Sequence, residues 1–186
     1  EFIRYLNETL TLSTVDICLE KSPSYAELDK YDEVIIATGT TPRQLKIPGI
    51  THPKVVSYQD VIADKVSMGD KVMIIGTGGI AFDVATKLTS PNTDDWTLAA
   101  KQDDFASRWG IDYRNQTNGG LTVANENHTN TQQITMLQRK VRKPGTGLGK
   151  TTVWIHRADF KKRGVKTLSL VNYISVTDAG LNVDIR

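Results

Sequence analysis

A short apolar run, Lys71-Val72-Met73-Ile74-Ile75, leads directly into Gly76-Thr77-Gly78-Gly79-Ile80-Ala81. The run is rich in branched side chains and reads as a buried parallel strand. Beyond the glycines the periodicity changes: Ile80, Val84 and Leu88 recur every four residues with Ala81 and Ala85 beside them, which predicts a helix to about Ser90, where Pro91 stops it. A strand, then G-x-G-x-x-A, then a helix is the context in which this glycine pattern carries meaning. Gly76 permits the tight turn, Gly78 leaves room for a pyrophosphate to approach the backbone, and Ala81 lets helix and strand pack closely. The helix N-terminus then offers N–H groups and a positive dipole end to the phosphates, with Thr77 and Gly79 inside the same turn. The competing reading is a structural glycine turn with no ligand.

A simple dinucleotide unit places an acidic residue about 20 residues past the glycines, where it holds a ribose hydroxyl. Here the next predicted strand, residues 133–138, ends about 60 residues on. An insertion at about residues 91–132 accounts for the excess. It is polar but carries Trp96, Phe105, Trp109 and Tyr113, which suggests an ordered insertion. The strand ends in Gln138-Arg139-Lys140, without a carboxylate. A guanidinium there suits the 2′-phosphate of NADPH, which it can grip with two N–H groups. Arg139 and Lys140 are therefore the phosphate candidates. The alternative is a solvated basic run, to which Arg142 and Lys143 are assigned.

The rest of the chain supports an α/β, doubly wound Rossmann-like reading. A helix is expected within residues 1–14 and a short strand at 15–19. Ser24 opens a short helix with capping-box spacing to Glu27. Residues 33–37 form a second buried-strand run, ending in Thr38-Gly39. Residues 42–53 hold three prolines and read as a linker, after which Ser57-Tyr58-Gln59-Asp60 can cap a short helix at 61–65. After the 133–138 strand come a glycine-rich turn at 144–149, a helix from about 150 to 163, a strand at 165–171, and a hairpin of 173–176 with 181–185. A break is expected after residue 65, with 66–186 forming the nucleotide domain; the resemblance described below implies that 1–65 are part of an FAD-binding domain and its linker.

Composition excludes several classes. The chain has 186 residues, a net charge of +2 and one cysteine. That charge is too mild to argue for nucleic acid. A lone Cys18 excludes a disulfide framework, a structural zinc site or an iron–sulfur cluster held by this chain. No apolar run reaches 18 residues, and Glu1-Phe2-Ile3 has neither an initiator Met nor the look of a signal segment. The expectation is an excised or processed piece of a cytoplasmic protein.

Other motifs are weaker. Residues 144–151 resemble a P-loop, but Pro144 stands where glycine is required and no buried strand feeds the loop. A tight turn near the cofactor is the preferred reading. His52, His128 and His156 lack partners at catalytic or metal spacing and read as structural or surface residues. Asn7, Asn115 and Asn127 begin chance glycosylation triplets. Asp83 reads as a helix-end charge. No nucleophile–base set is present, so no residue is assigned as catalytic and none as a metal ligand.

Longer segments carry a family resemblance. Val34-Ile35-Ile36-Ala37-Thr38-Gly39, followed about 35 residues later by the glycine fingerprint, resembles the two-dinucleotide-domain flavoproteins. Trp109-Gly110-Ile111-Asp112, Met136-Leu137-Gln138-Arg139-Lys140 and the stretch from Lys143 through Gly149-Lys150-Thr151-Thr152 to Trp154-Ile155-His156-Arg157 resemble bacterial NADPH-dependent 2,4-dienoyl-CoA reductases. The resemblance covers essentially the whole chain. It implies an enzyme of unsaturated fatty acid β-oxidation in which hydride passes from NADPH to FAD, and electrons pass through a 4Fe-4S cluster to FMN in a TIM barrel. Gly76, Gly78 and Ala81 would lie at the NADPH pyrophosphate, Arg139 and Lys140 at its 2′-phosphate, and Ala37, Thr38 and Gly39 at the FAD-domain strand end. The barrel, the FAD fingerprint and the second FAD segment are expected outside residues 1–186, as the partners of this piece. Alone it is not expected to reduce a dienoyl-CoA. A relative among old-yellow-type ene-reductases or amine dehydrogenases, or a non-catalytic NADPH-binding module, is the competing expectation.

Overall fold

A computed structural model of the chain describes residues 2–90, 98–124 and 132–186. Trp96, Asn127 and His128 lie outside the described residues. The chain forms two compact units, Glu1–Thr41 and Pro42–Arg186. The boundary falls earlier than the expected break after residue 65. The reason is packing: Val61 is buried, and the Lys87 ammonium donates to the Ile62 carbonyl at 2.8 Å and pairs with Asp64 at 2.6 Å. Residues 42–65 thus belong to the second unit.

The first unit holds α1 (Phe2–Leu12) and α2 (Tyr25–Leu28), both expected. The capping box at α2 is formed, with the Glu27 carboxylate accepting from the Ser24 N–H at 2.9 Å. The strands expected at 15–19 and 33–37 are not formed. A parallel strand exists only by pairing with neighbours, and no described residue pairs with either run. Ile35 and Ile36 are consequently 88% and 83% exposed.

In the second unit, α3 (Tyr58–Ile62) starts three residues before its expected position because Ser57 is its cap, accepting from the Asp60 N–H at 3.1 Å. Then β1 (Lys71–Ile75), β2 (Gln133–Leu137) and β3 (Lys166–Leu168) form a parallel sheet in that order. The register runs from Lys71 opposite Gln133 to Ile75 opposite Leu137, and from Thr135 opposite Lys166 to Leu137 opposite Leu168. The Rossmann-like α/β arrangement expected of the motif is therefore present. β3 is shorter than expected. The chain turns at Leu170, whose φ is 62°, and the Val171 N–H reaches the Gln138 carbonyl at 3.0 Å. Val171 instead opens β4 (Val171–Thr177), which pairs antiparallel with β5 (Gly180–Ile185).

Between β1 and β2 run α4 (Gly79–Thr89) and α5 (Leu98–Trp109), and α6 (Val153–Lys162) precedes β3. Ala81, Phe82, Val84, Ala85 and Thr89 form the buried stripe of α4. Ser90, before Pro91, is extended at ψ 143°, as a residue before proline prefers. α5 is tied to α6 through Asp159, whose carboxylate meets Arg108 at 3.3 Å and Arg163 at 2.7 Å. Lys162 adds a bond to the Arg108 carbonyl at 3.0 Å and lies 4.6 Å from the Trp109 ring centre. Within α5 Phe105 also packs beside Trp109.

The core comprises Val72, Ala81, Phe82, Ala85, Ile134, Met136 and Phe160, and so joins β1, β2, α4 and α6. Phe82 is at its centre, stacked on Phe160 at 4.9 Å and meeting His156 edge-on at 5.8 Å. His156 is accordingly a packing residue. Replacing Phe82 with alanine removes this contact and leaves a cavity, which costs about 3–5 kcal/mol. Urea denaturation of Phe82→Ala is expected to show that loss, and a change below about 1 kcal/mol would contradict the placement of Phe82.

Candidate functional site

Parallel strands send all their C-terminal ends to one edge, and open α/β sheets bind ligands outside that edge. Three segments meet there: residues 76–81 after β1, residues 138–149 after β2, and Ser169 after β3. At Gly76 the chain leaves β1 with φ 125°, a conformation that side chains other than glycine rarely adopt. That turn lets the Gly76 N–H donate to the Leu137 carbonyl at 2.8 Å, extending the β1–β2 ladder by one bond. Gly78 is the N-cap of α4, and its carbonyl accepts from the Phe82 N–H at 3.1 Å.

No side chain caps α4. The N–H groups of a helix's first turn have no intrahelical acceptor, so they remain available to an outside anion. A Cβ built on Gly76 or Gly78 would meet no atom within 4 Å. The space before this turn is open, as the approach of a pyrophosphate requires. Gly79 lies closer to the protein, with the Leu148 side chain 3.5 Å from where its Cβ would be. Ala81 is buried at the foot of the turn.

The glycine-rich loop closes against this turn. The Gly145 N–H donates to the Thr77 carbonyl at 3.1 Å, and Arg157 holds the Pro144 carbonyl through Nε at 3.0 Å and Nη2 at 2.6 Å. Gly145 has φ 74°, and a Cβ on it would lie 2.7 Å from the Phe82 ring. Its glycine is thus required by both backbone and packing. α6 starts at Val153, three residues later than expected, because residues 150–152 complete this turn.

Gln138 is the residue that sequence reasoning passed over. It is buried, and its side-chain oxygen accepts from the Thr77 hydroxyl while its amide donates toward the Lys140 carbonyl, the Arg142 carbonyl and the Ser169 hydroxyl. Arg139 and Lys140 follow it directly and are both exposed. Gly76, Thr77, Gly78, Gly79, Ala81, Arg139 and Lys140 therefore belong to segments joined at one sheet edge. Ala37, Thr38 and Gly39 lie in the first unit, where they are exposed and Gly39 has φ 74°.

Tyr173 of β4 is a second unanticipated element. Its hydroxyl donates to the Leu137 carbonyl at 3.1 Å, the same oxygen that accepts from Gly76. Burial pushes its phenol above the ordinary value, and the positive charge of Arg139 opposes the shift. No sequence pattern announces this contact, because β4 lies 36 residues from its partner. Among the described residues no cluster of His, Cys, Asp or Glu could hold a metal ion, and no helix is long and apolar enough to cross a membrane.

The model of the family described as pyridine nucleotide-disulphide oxidoreductase matches residues 8–178. The chain belongs to this family. Cinnamate reductase of Clostridium sporogenes is 35% identical over 93 residues, covering 49% of this chain and 14% of that protein. A metal reductase of Desulforamulus reducens is 28% identical over 155 residues, covering 83% of this chain and 21% of that protein. The chain therefore spans a seventh to about a fifth of the length of these curated relatives. Among solved structures, 2-naphthoyl-CoA reductase in complex with 2-naphthoyl-CoA resembles it with a TM-score of 0.54 at 21% identity, over 80% of this chain and 16% of that one. That likeness concerns the fold.

A raised phenol pKa has a signed consequence. The unfolded phenol ionises first, near pH 10, so Tyr173 stabilises the fold below that pH and the contribution is lost as pH rises through the folded value. Unfolding free energy measured from pH 8 to 11 is expected to fall more steeply for the native chain than for Tyr173→Phe. Parallel curves would show that Tyr173 does not titrate from a half-buried, hydrogen-bonded position.

Proposed function

We propose that this chain is the NADPH-binding part of a flavin-dependent reductase, resembling 2,4-dienoyl-CoA reductase, and that it presents the nicotinamide of NADPH to FAD. The observation carrying this reading is the pair Arg139 and Lys140, exposed at the end of β2 and joined through Gln138 to the open glycine turn. Gly76, Thr77, Gly78, Gly79 and Ala81 would form the pyrophosphate seat. The first-turn N–H groups of α4 and its dipole would oppose the phosphate charge. Arg139 would take the 2′-phosphate with two parallel N–H bonds, and Lys140 would add a second positive charge.

When bound, NADPH supplies the hydride; the residues described here hold and orient it. Gly145 and the 144–149 loop border the turn on the side of Thr77 and would limit where the rest of the cofactor can lie. In the parent enzyme Ala37, Thr38 and Gly39 would belong to the FAD site, and FMN and a 4Fe-4S cluster would belong to other parts. Such an enzyme would be cytoplasmic and would act on an unsaturated thioester in fatty acid oxidation. The division into a partial FAD domain and an NADPH domain with the α5-bearing insertion forms part of the same proposal.

A second reading has its own support. The relative at 35% identity is named a cinnamate reductase, which favours a broader class of reductases acting on conjugated double bonds. Both readings share the same nucleotide site and differ in the substrate reduced elsewhere in the enzyme.

Calorimetric titration of NADPH and NADH separates the nucleotide site from its alternatives. The native chain is expected to bind NADPH at least about tenfold more tightly, a difference of about 1.4 kcal/mol, and Arg139→Ala to lose most of that preference. Equal affinities in the native chain, or an unchanged preference in Arg139→Ala, would defeat the 2′-phosphate assignment.

A further inference from the structure

We infer that Gln138 is the positioning residue for discrimination between 2′-phosphorylated and unphosphorylated nucleotides, acting through the backbone of the basic loop without touching the ligand. The inference rests on the reading of Arg139 and Lys140 given above. Gln138 is 8% exposed and fully engaged. Its backbone N–H donates to the Leu168 carbonyl at 2.9 Å, and its carbonyl accepts from the Val171 N–H at 3.0 Å. The residue is thus fixed between β3 and the start of β4 before its side chain is considered.

The side chain then serves two segments in opposite senses. Its oxygen accepts from the Thr77 hydroxyl in the glycine turn. Its amide hydrogens are shared among the Lys140 carbonyl at 3.1 Å, the Ser169 hydroxyl at 2.9 Å and the Arg142 carbonyl. Ser169 also donates to the Arg142 carbonyl at 3.4 Å. The arrangement needs an acceptor and a donor on one short planar group, which is the inventory of an amide. A carboxylate would place oxygen against two carbonyl oxygens, and a thioether would leave them unpaired.

The loop carrying Arg139 is therefore closed from inside by the residue that precedes it. Arg139 and Lys140 have long side chains whose ordering on a phosphate costs entropy. A backbone already fixed at Lys140 and Arg142 leaves only the side-chain freedom to be lost on binding. The bond to Thr77 registers that loop to the pyrophosphate turn, so the two phosphate seats keep one spacing.

Binding of adenosine 2′,5′-bisphosphate and of 5′-AMP, measured by calorimetry on the whole chain, isolates the 2′-phosphate contribution. In Gln138→Met, which keeps length and removes both hydrogen-bonding functions, the affinity ratio of bisphosphate to 5′-AMP is expected to fall about tenfold. A loss shared equally by both ligands, or no loss, would overturn the inference, because a purely structural role moves both together. Circular dichroism establishes that the variant is folded. Should Gln138→Met not fold, Ser169→Ala decides: the ratio is expected to fall about threefold, and an unchanged ratio would overturn the inference. Arg139→Ala run in parallel separates the two levels. A ratio lost there but kept in Gln138→Met defeats the role of Gln138 alone; a ratio kept in Arg139→Ala defeats the NADPH reading on which it rests.

Discussion

The carbonyl of Leu137 is the point on which the site depends. It accepts from the Gly76 N–H at 2.8 Å and from the Tyr173 hydroxyl at 3.1 Å, and so binds the end of β2 to the glycine turn and to β4 at once. The Gly76 bond is available because Gly76 adopts φ 125°, which directs the chain out of β1 and into α4. A side chain at that position would disfavour the turn, and without the turn the helix N-terminus would not face the sheet edge. Gly76 thus has a backbone reason to be glycine apart from any ligand. The open space before Gly76 and Gly78 is the separate feature that a ligand would use.

Packing couples this turn to the loop that follows β2. Phe82, one residue past Ala81, stacks on Phe160 of α6 and stands against Gly145. Leu148 of the same loop packs on the core. The loop is consequently held by apolar contact from below and by the Gly145–Thr77 bond from above. Because Phe82 lies in α4 and Thr77 in the turn that opens it, burial in the core and geometry at the sheet edge are set by one turn and its helix. The Asp159 carboxylate performs a comparable task for α5, pinning it to α6 by way of Arg108.

Much of this was legible in the residues. β1 and α4 follow from a branched apolar run and a change of period, because each element's pattern is local and its burial lies within this chain. The capping serines at 24 and 57 announce α2 and α3 for the same reason. The runs at 15–19 and 33–37 have equally good strand patterns and form no strand, since pairing is not a local property. The roles of Gln138 and Tyr173 were not legible, because hydrogen-bond partners 31 to 61 residues away leave no periodic trace. Gly145 occupied a middle ground: its loop was visible as a turn, while the clash that any Cβ there would make with Phe82 needed three dimensions.

In the proposed function the glycine turn and the basic loop act as one nucleotide seat. Backbone amide chemical-shift mapping on adding NADPH tests it most directly. The largest changes are expected together at Gly76, Gly78, Gly79, Arg139, Lys140 and Gly145, saturating with one dissociation constant. Changes confined to other segments, or separate saturation of the turn and the loop, would contradict it.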